Sequence, residues 1–80
     1  MKKTFILSVT AHSALRALQR IVCLLTRSRI DVDRLTMAEA DAAGVSRLEI
    51  CLRVEPQIAE RTAKQLRRVV EISDVHIQPL

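Results

Sequence analysis

Few side chains in this 80-residue chain are of types that perform chemistry, and their spacing matches no catalytic arrangement. Cys23 and Cys51 lie far apart without a C-x-x-C pair, a pattern typical of packed free thiols rather than of metal ligands. Nucleophilic catalysis by a thiol needs a base and an orienting group. Neither His12 nor His76 lies near a cysteine in sequence. The pattern therefore predicts no catalytic residue and no metal site.

Two carboxylates, Asp31 and Asp33, alternate in a strand-like run and are expected to point to the same side of it. General acid–base catalysis needs a further acid or base close to them. The neighbouring sequence offers no such partner. From its residues, the chain is predicted not to be an enzyme.

The basic residues are scattered along the chain. There are 13 lysine and arginine residues against 9 acidic ones, with a formal net charge of +4, and the two signs are interleaved. The densest basic group lies on the second helical pattern and consists of Arg61, Lys64, Arg67 and Arg68. We interpret it as a solvated helix face rather than a phosphate-binding stripe, and we expect no nucleic-acid partner.

The start of the first helical pattern is a candidate anion site. The segment from Ser13 to Arg16 is expected to present free backbone N–H groups and the positive end of a helix dipole, which suits a small carboxylate. The simpler interpretation is that the Ser13 hydroxyl only caps the helix. The residues alone favour the simpler interpretation.

The order of hydrophobic patterns defines the elements that must position these residues. Alternating and helical periodicities follow each other as strand, helix, strand, strand, helix and strand, without a linker or a low-complexity segment. The segment Glu39–Val45, which holds the only glycine of the chain, predicts a loop between the middle strands. The six elements are predicted at Phe5–Thr10, Ser13–Arg27, Ile30–Ala38, Ser46–Val54, Pro56–Val70 and Val75–Ile77.

Apolar positions within these elements predict the buried faces. In the second strand, Val32 is out of phase with Leu35 and Met37, which indicates a bulge near Asp33-Arg34. The third strand alternates most cleanly, with every second residue apolar. The buried helix stripes are predicted to be Leu18, Ile21, Val22 and Leu25, and then Ile58, Ala59, Thr62, Ala63, Leu66, Val69 and Val70.

This order predicts an α+β fold, a ferredoxin-like βαββαβ two-layer sandwich with a four-stranded antiparallel sheet and two helices on one face. We expect residues 1–80 to form a single domain with strand order 4-1-3-2. The second strand then lies at an edge with unpaired backbone groups, which predicts a homodimer. The outer-face positions of the central strands carry no aromatic residue, which argues against an RNA-recognition domain.

We expect a cytoplasmic protein. The apolar run after Lys2 and Lys3 is short, polar residues interrupt it, and no small-residue cleavage site follows, so it does not match a signal peptide. No stretch is long enough to span a membrane, and we expect neither a membrane partner nor a cofactor.

Six short pieces of the sequence, in this order and spacing, match a known family. They are Ile6-Leu7-Ser8-Val9, Ala17-Leu18 with Arg20, Leu35-Thr36, Ser46-Arg47, Lys64-Gln65-Leu66 and Val70-Glu71-Ile72. On these pieces the chain resembles the ACT domain of the acetohydroxyacid synthase (acetolactate synthase) small regulatory subunit. The resemblance runs without a gap from about Ile6 to Val75.

The resemblance implies a non-catalytic subunit that binds and activates a large acetolactate synthase catalytic subunit in branched-chain amino acid biosynthesis. Such a catalytic subunit uses thiamine diphosphate, Mg and usually FAD. Many small subunits of this family bind a branched-chain amino acid, above all valine, between paired ACT domains and thereby inhibit the enzyme. Long members continue into a second domain, so the length of this chain implies the short type, one of which responds little to valine.

The chain departs from the family in the effector motif. The usual first loop reads Asn-x-x-Gly-x-Leu-x-Arg, and here Ser13 and Arg16 stand at the Asn and Gly positions. The second motif, usually Gly-aromatic-Asn-Ile, reads Arg29-Ile30-Asp31-Val32. The effector-binding residues that the resemblance implies are Ser13, Arg16, Ala17, Asp31 and Val32.

These departures leave two interpretations of the effector site open. Arg16 and Asp31 pair across the dimer and fill the site, which predicts weak or lost valine binding. Alternatively, Arg16 binds a carboxylate and Asp31 an ammonium group, which changes the ligand instead.

Partner and function also have alternatives. A stand-alone ACT module that senses another amino acid or small molecule is the alternative to a synthase subunit. If the chain is a subunit, the surface for the catalytic partner is either the outer sheet face or the basic face of the second helix.

Overall fold

The chain folds as one antiparallel sheet with two helices on one face. The computed structural model describes residues 1–39 and 44–80. The elements are β1 (Lys3–His12), α1 (Ala14–Arg27), β2 (Asp31–Glu39), β3 (Val45–Val54), α2 (Pro56–Leu66) and β4 (Ile72–Pro79). The strand order is β2-β3-β1-β4, and neighbouring strands are antiparallel. The predicted ferredoxin-like βαββαβ fold and its strand order are confirmed.

The core lies between the helices and the inner face of the sheet. Strands β1 and β3 alternate between buried and outward-facing residues, so one face of each is apolar. Thr62 is the buried polar residue of α2, and its hydroxyl donates a 2.8 Å hydrogen bond to the Ile58 carbonyl oxygen. The buried apolar side chains are Leu7, Val9, Ala11, Ala17, Ile21, Leu25, Leu48, Ile50, Leu52, Val54, Ala59, Ala63, Leu66, Ile72 and Val75.

Strand β2 contains the predicted bulge. Its register on β3 shifts between Val32 and Arg34, and Asp33 has no partner in the ladder. The extra residue restores the phase of the strand, so that Val32, Leu35 and Met37 all oppose buried residues of β3. The helices pack mainly over the other three strands, which leaves β2 almost entirely exposed.

Helix α2 is shorter, and strand β4 longer, than the sequence predicts. The Val69 N–H bonds the Leu66 carbonyl and the Ile72 N–H bonds the Val69 carbonyl, so the chain turns immediately after Leu66 and enters β4. Val70 lies in this turn and is 89% exposed, so its assignment to the buried stripe is wrong. Val22, at 46% exposed, is also wrongly assigned, because it lies on the flank of α1 that no described element covers.

The predicted loop Glu39–Val45 falls mainly on residues 40–43, which lie outside the described residues. Gly44 follows them with a φ of 79°, a left-handed conformation that glycine adopts without strain. Neither described helix is long and apolar enough to cross a membrane.

A non-glycine residue in the left-handed region stands at each end of α1. At the C-terminal end, Arg29 has a φ of 54°. Its N–H donates to the Thr26 carbonyl, and the Ile30 N–H donates to the Leu25 carbonyl, both at 3.1 Å. These two bonds form a Schellman motif, in which glycine is the usual residue at the position of Arg29.

At the N-terminal end, Ser13 has a φ of 53° and its side chain makes no capping hydrogen bond. Its carbonyl oxygen still accepts the Ala17 N–H at 3.0 Å. A capping serine normally has an extended backbone that directs its hydroxyl to the first-turn N–H groups, and the left-handed backbone does not. The predicted role of the Ser13 hydroxyl as a helix cap is therefore wrong.

Replacing Arg29 by glycine tests the Schellman motif. Arg29→Gly is expected to raise the free energy of unfolding by about 0.5–1 kcal/mol, because relief of left-handed strain exceeds the added entropy of the unfolded chain. The control is Arg27→Gly, which places glycine in helical backbone and is expected to destabilise the protein. Urea unfolding measures both. Equal destabilisation by Arg29→Gly and Arg27→Gly would contradict the assignment of Arg29 to the left-handed position of the Schellman motif.

Replacing Ser13 by alanine tests the missing cap. A serine that caps a helix is worth about 1 kcal/mol, whereas Ser13→Ala is expected to change stability by less than about 0.5 kcal/mol. Ser13→Gly, which removes the left-handed strain, is expected to be more stable than both the parent protein and Ser13→Ala. A loss of a full capping contribution in Ser13→Ala, again by urea unfolding, would show that the hydroxyl does cap α1.

Candidate functional site

Three of the predicted effector residues lie at the start of α1. Ser13 and Arg16 are exposed there, at the end of the sheet where β1 finishes. Ala17 is fully buried and belongs to the core beneath the helix. A ligand at this end of α1 would therefore contact Ser13 and Arg16, and Ala17 would support the helix from below.

The other two predicted effector residues begin β2. The carboxylate of Asp31 lies 3.3 Å from Lys2 Nζ, and both side chains are more than half exposed. Val32 is 40% exposed and opposes Leu52 of β3 on the inner side of the sheet. Asp31 thus has a cationic neighbour within its own chain, and Val32 is an apolar surface residue beside it.

Within one chain, the two halves of the predicted effector site lie at opposite ends of the sheet. Asp31 opposes Arg53, which in turn opposes Thr4 near the start of β1, whereas Ser13 follows the last residue of that strand. At about 3.3 Å per residue, the length of β1 between Thr4 and His12 separates them by about 26 Å. A single chain does not bring these residues together, so the predicted site requires a second copy.

The paired carboxylates of β2 each have a basic partner, contrary to the sequence-based expectation. Asp33, the bulge residue, accepts hydrogen bonds of 3.3 and 3.4 Å from Arg53, and Asp31 contacts Lys2. These ion pairs are exposed, where such pairs contribute little to stability. Each of these two carboxylates is therefore paired with a basic side chain of its own chain.

The cysteines and histidines are spread over different elements. Cys23 is exposed on α1 and Cys51 is half-buried on β3, both as free thiols, so Cys23 is not the packed thiol that the sequence predicts. His12 is exposed at the end of β1. In residues 1–39 and 44–80, no three His, Cys, Asp or Glu side chains are close enough to hold a metal ion.

Strand register places a serine, a histidine and an aspartate together on the outer sheet face. Ser8 opposes His76 across β1 and β4, and His76 Nε2 lies 2.9 Å from the Asp74 carboxylate. No hydrogen bond joins Ser8 to His76, the histidine side chain is 77% exposed, and the face is open to water. The trio lacks the contact that activates a serine nucleophile. Sequence spacing alone did not indicate it, because it depends on the β1–β4 register.

A groove of about 730 Å³ runs between α1 and the turn that joins α2 to β4. We call it the interhelical groove and define it by Arg16, Arg20, Cys23, Arg27, Arg68 and Glu71. Its α1 wall consists of residues three or four positions apart, which share one side of the helix. The sequence analysis did not single out this surface, because its two walls come from α1 and from the turn after α2, which are far apart in the chain.

Comparison with curated proteins finds a similarity in sequence. No protein-family model matches the chain. A probable acetolactate synthase small subunit from Methanothermobacter thermautotrophicus is 28% identical over 72 residues, which cover 90% of this chain and 43% of that protein. The chain thus spans less than half the length of this curated relative.

Solved structures share the fold at lower identity. The acetolactate synthase small subunit of Thermotoga maritima superposes with a TM-score of 0.82 at 23% identity, over 96% of this chain and 47% of that one. The ACT domain of GTP pyrophosphokinase from Chlorobium tepidum gives 0.81 at 10% identity, over 98% and 100% of the two chains. The chain therefore has the ferredoxin-like ACT fold, and its sequence is similar to that of an acetolactate synthase small subunit.

Proposed function

We propose that this chain is a non-catalytic, activating small subunit of acetolactate synthase in branched-chain amino acid biosynthesis. The observation that carries the proposal is the 72-residue similarity to a probable small subunit. The fold alone does not decide, because an ACT domain from a GTP pyrophosphokinase superposes equally well. The catalytic partner is then the large acetolactate synthase subunit, and the chain itself binds no cofactor.

We propose further that the chain acts as a homodimer through β2. This edge strand has unpaired backbone groups along one side, and its inner face carries Val32 and Met37, which are 40% and 43% exposed. The flank of α1 that faces away from the interhelical groove adds Leu15 and Val22, which are also exposed. A second copy that pairs with β2 would satisfy the edge and cover these apolar side chains.

Antiparallel pairing of two β2 strands also supports the predicted effector site. Within one chain, Asp31 lies at one end of the sheet and Arg16 at the other. A two-fold axis beside β2 reverses the second copy, so Asp31 of one chain would approach the α1 start of its partner. The effector site, with Ser13, Arg16, Ala17, Asp31 and Val32, would then be complete only in the dimer.

Within this site we propose a weak or lost response to valine. Arg16 stands where the family has glycine, and any side chain at this position hinders the close approach of a ligand carboxylate to the backbone. Lys2 already lies beside Asp31, which reduces the capacity of that carboxylate to bind an ammonium group. Valine would therefore meet a site in which a side chain hinders its carboxylate and Lys2 already neutralises the Asp31 carboxylate.

The dimer is tested by charging the apolar side of β2. The double variant Val32→Lys with Met37→Lys is expected to shift the protein from dimer to monomer at micromolar concentration, because two lysines would be buried without partners. The control, Thr36→Lys with Ala38→Lys, adds the same charge on the other face of the same strand and is expected to remain a dimer. Analytical ultracentrifugation measures the mass, and circular dichroism checks folding. A monomeric parent protein would refute the dimer.

The subunit assignment is tested by enzyme activity. Adding this chain to the acetolactate synthase large subunit of the same genome is expected to raise acetolactate formation several-fold, with little further change on addition of valine. Arg16→Gly, which restores the family residue, is expected to increase valine inhibition if Arg16 is the obstruction. Absence of activation would reject the subunit role, whereas strong valine inhibition of the parent protein would reject only the obstructed site.

A further inference from the structure

We propose that the interhelical groove binds an acidic segment of the catalytic subunit, a stretch of chain in which carboxylates flank an apolar side chain. This inference rests on the function proposed above and names the surface that would carry it. It differs from both surfaces that the sequence suggested, the outer sheet face and the exposed basic face of α2.

The charge of the groove is strongly positive and only partly compensated. Arg16, Arg20 and Arg27 line the α1 wall and Arg68 lines the opposite wall, against one acid, Glu71. Arg20 Nε lies 3.0 Å from a carboxylate oxygen of Glu71, so this pair is neutralised within the chain. No ion pair within the described residues involves Arg16, Arg27 or Arg68. In the described part of the chain, three guanidinium groups therefore line one groove without an ion-pair partner.

Guanidinium groups suit carboxylates, and arginine is enriched at protein interfaces. Arg16 and Arg27 lie at the two ends of the α1 wall, which at 1.5 Å per residue places them about 16 Å apart along the helix. An extended chain covers this distance with about five residues. Two acidic residues near the ends of such a segment would each meet one of these arginines.

The floor of the groove is apolar. Leu24 of α1 and Val69 of the turn after α2 are half-buried and line it between the arginines. Their contact with an apolar side chain would remove that side chain from water, which charged rims alone do not provide. The segment is therefore expected to carry an apolar residue between its carboxylates.

The apolar floor favours a polypeptide over a phosphate or a nucleic acid. A phosphate group has no apolar side chain to place against Leu24 and Val69, whereas a polypeptide segment carries both carboxylates and apolar side chains. The groove also contains no aromatic side chain on which bases would stack.

The basic face predicted from the sequence lies mostly outside this groove. Of its four residues only Arg68 lines the groove, and Arg67 donates a 3.1 Å hydrogen bond to the Val75 carbonyl. Arg61 and Lys64 are exposed on α2 and are not among the groove residues. These two residues provide a matched control, because they carry the same charge on a neighbouring surface.

Binding of the large subunit to charge-reversal variants tests the proposal. Arg27→Glu with Arg68→Glu, one from each wall, is expected to weaken binding at least about tenfold and to reduce its salt dependence. Arg61→Glu with Lys64→Glu makes the same change in net charge and is expected to bind within about twofold of the parent protein. Neither pair includes a residue of the predicted effector site. Surface plasmon resonance at two salt concentrations measures the binding of the large subunit to the parent protein and to both double variants. Urea unfolding confirms that each variant folds.

The outcomes separate the two proposals. Binding of the parent protein with a selective loss in the groove variant supports the groove. Equal binding by all three proteins, or equal weakening by both charge reversals, overturns the groove and leaves the subunit function standing. No binding by the parent protein overturns the subunit function and, with it, the acidic segment.

Cys23 provides a second readout, because its exposed thiol lies inside the groove. In a Cys51→Ala background, the rate of iodoacetamide modification at Cys23 is expected to fall several-fold when the large subunit is bound. Mass spectrometry of this chain follows the reaction. An unchanged rate in a complex that is demonstrably formed would show that the partner binds elsewhere.

Discussion

The packing of two helices onto one sheet face through small aliphatic side chains is the interaction on which the other features of this protein depend. Phe5 is the only aromatic residue, so the core is built from Leu, Ile, Val and Ala. Close packing of such side chains requires helices and sheet to approach closely, and Ala59 and Ala63 provide that approach on α2. Two helices of this size do not cover four strands, and β2 is left outside. The exposed edge strand β2 and the interhelical groove both follow from this geometry.

Much of the fold is predictable from the sequence, because its signals are local. The alternation in β3 and the shift of phase in β2 are properties of consecutive residues, and they identified the strands and the bulge at Asp33. The order of the six elements then determined the sheet, since few topologies accommodate that order. The assignments that failed depend on contacts between elements. The turn after Leu66 exposes Val70, and Val22 is exposed because no described element covers that flank of α1.

The candidate site was less predictable than the fold. The resemblance to a family motif pointed to Ser13, Arg16 and Asp31 as effector residues. Only the strand register shows that, within one chain, the length of the sheet separates Asp31 from the other two. The pair formed by Arg20 and Glu71 joins residues on different elements, which no local pattern reveals. The backbone of Ser13 was equally hidden, because nothing in its neighbours requires a left-handed conformation. Sequence thus identified the residues, and only tertiary structure showed which of them meet.

The sheet has a second free edge, and its chemistry differs from that of β2. Strand β4 ends in Pro79, which has no N–H to donate, and displays the exposed polar side chains of Asp74 and His76. A sheet with two equally adhesive edges would grow by head-to-tail addition into an open fibre. With one apolar and one poorly adhesive edge, growth would end once two copies had joined. The contrast between β2 and β4 would thus make the proposed assembly finite and would limit aggregation through the sheet edges.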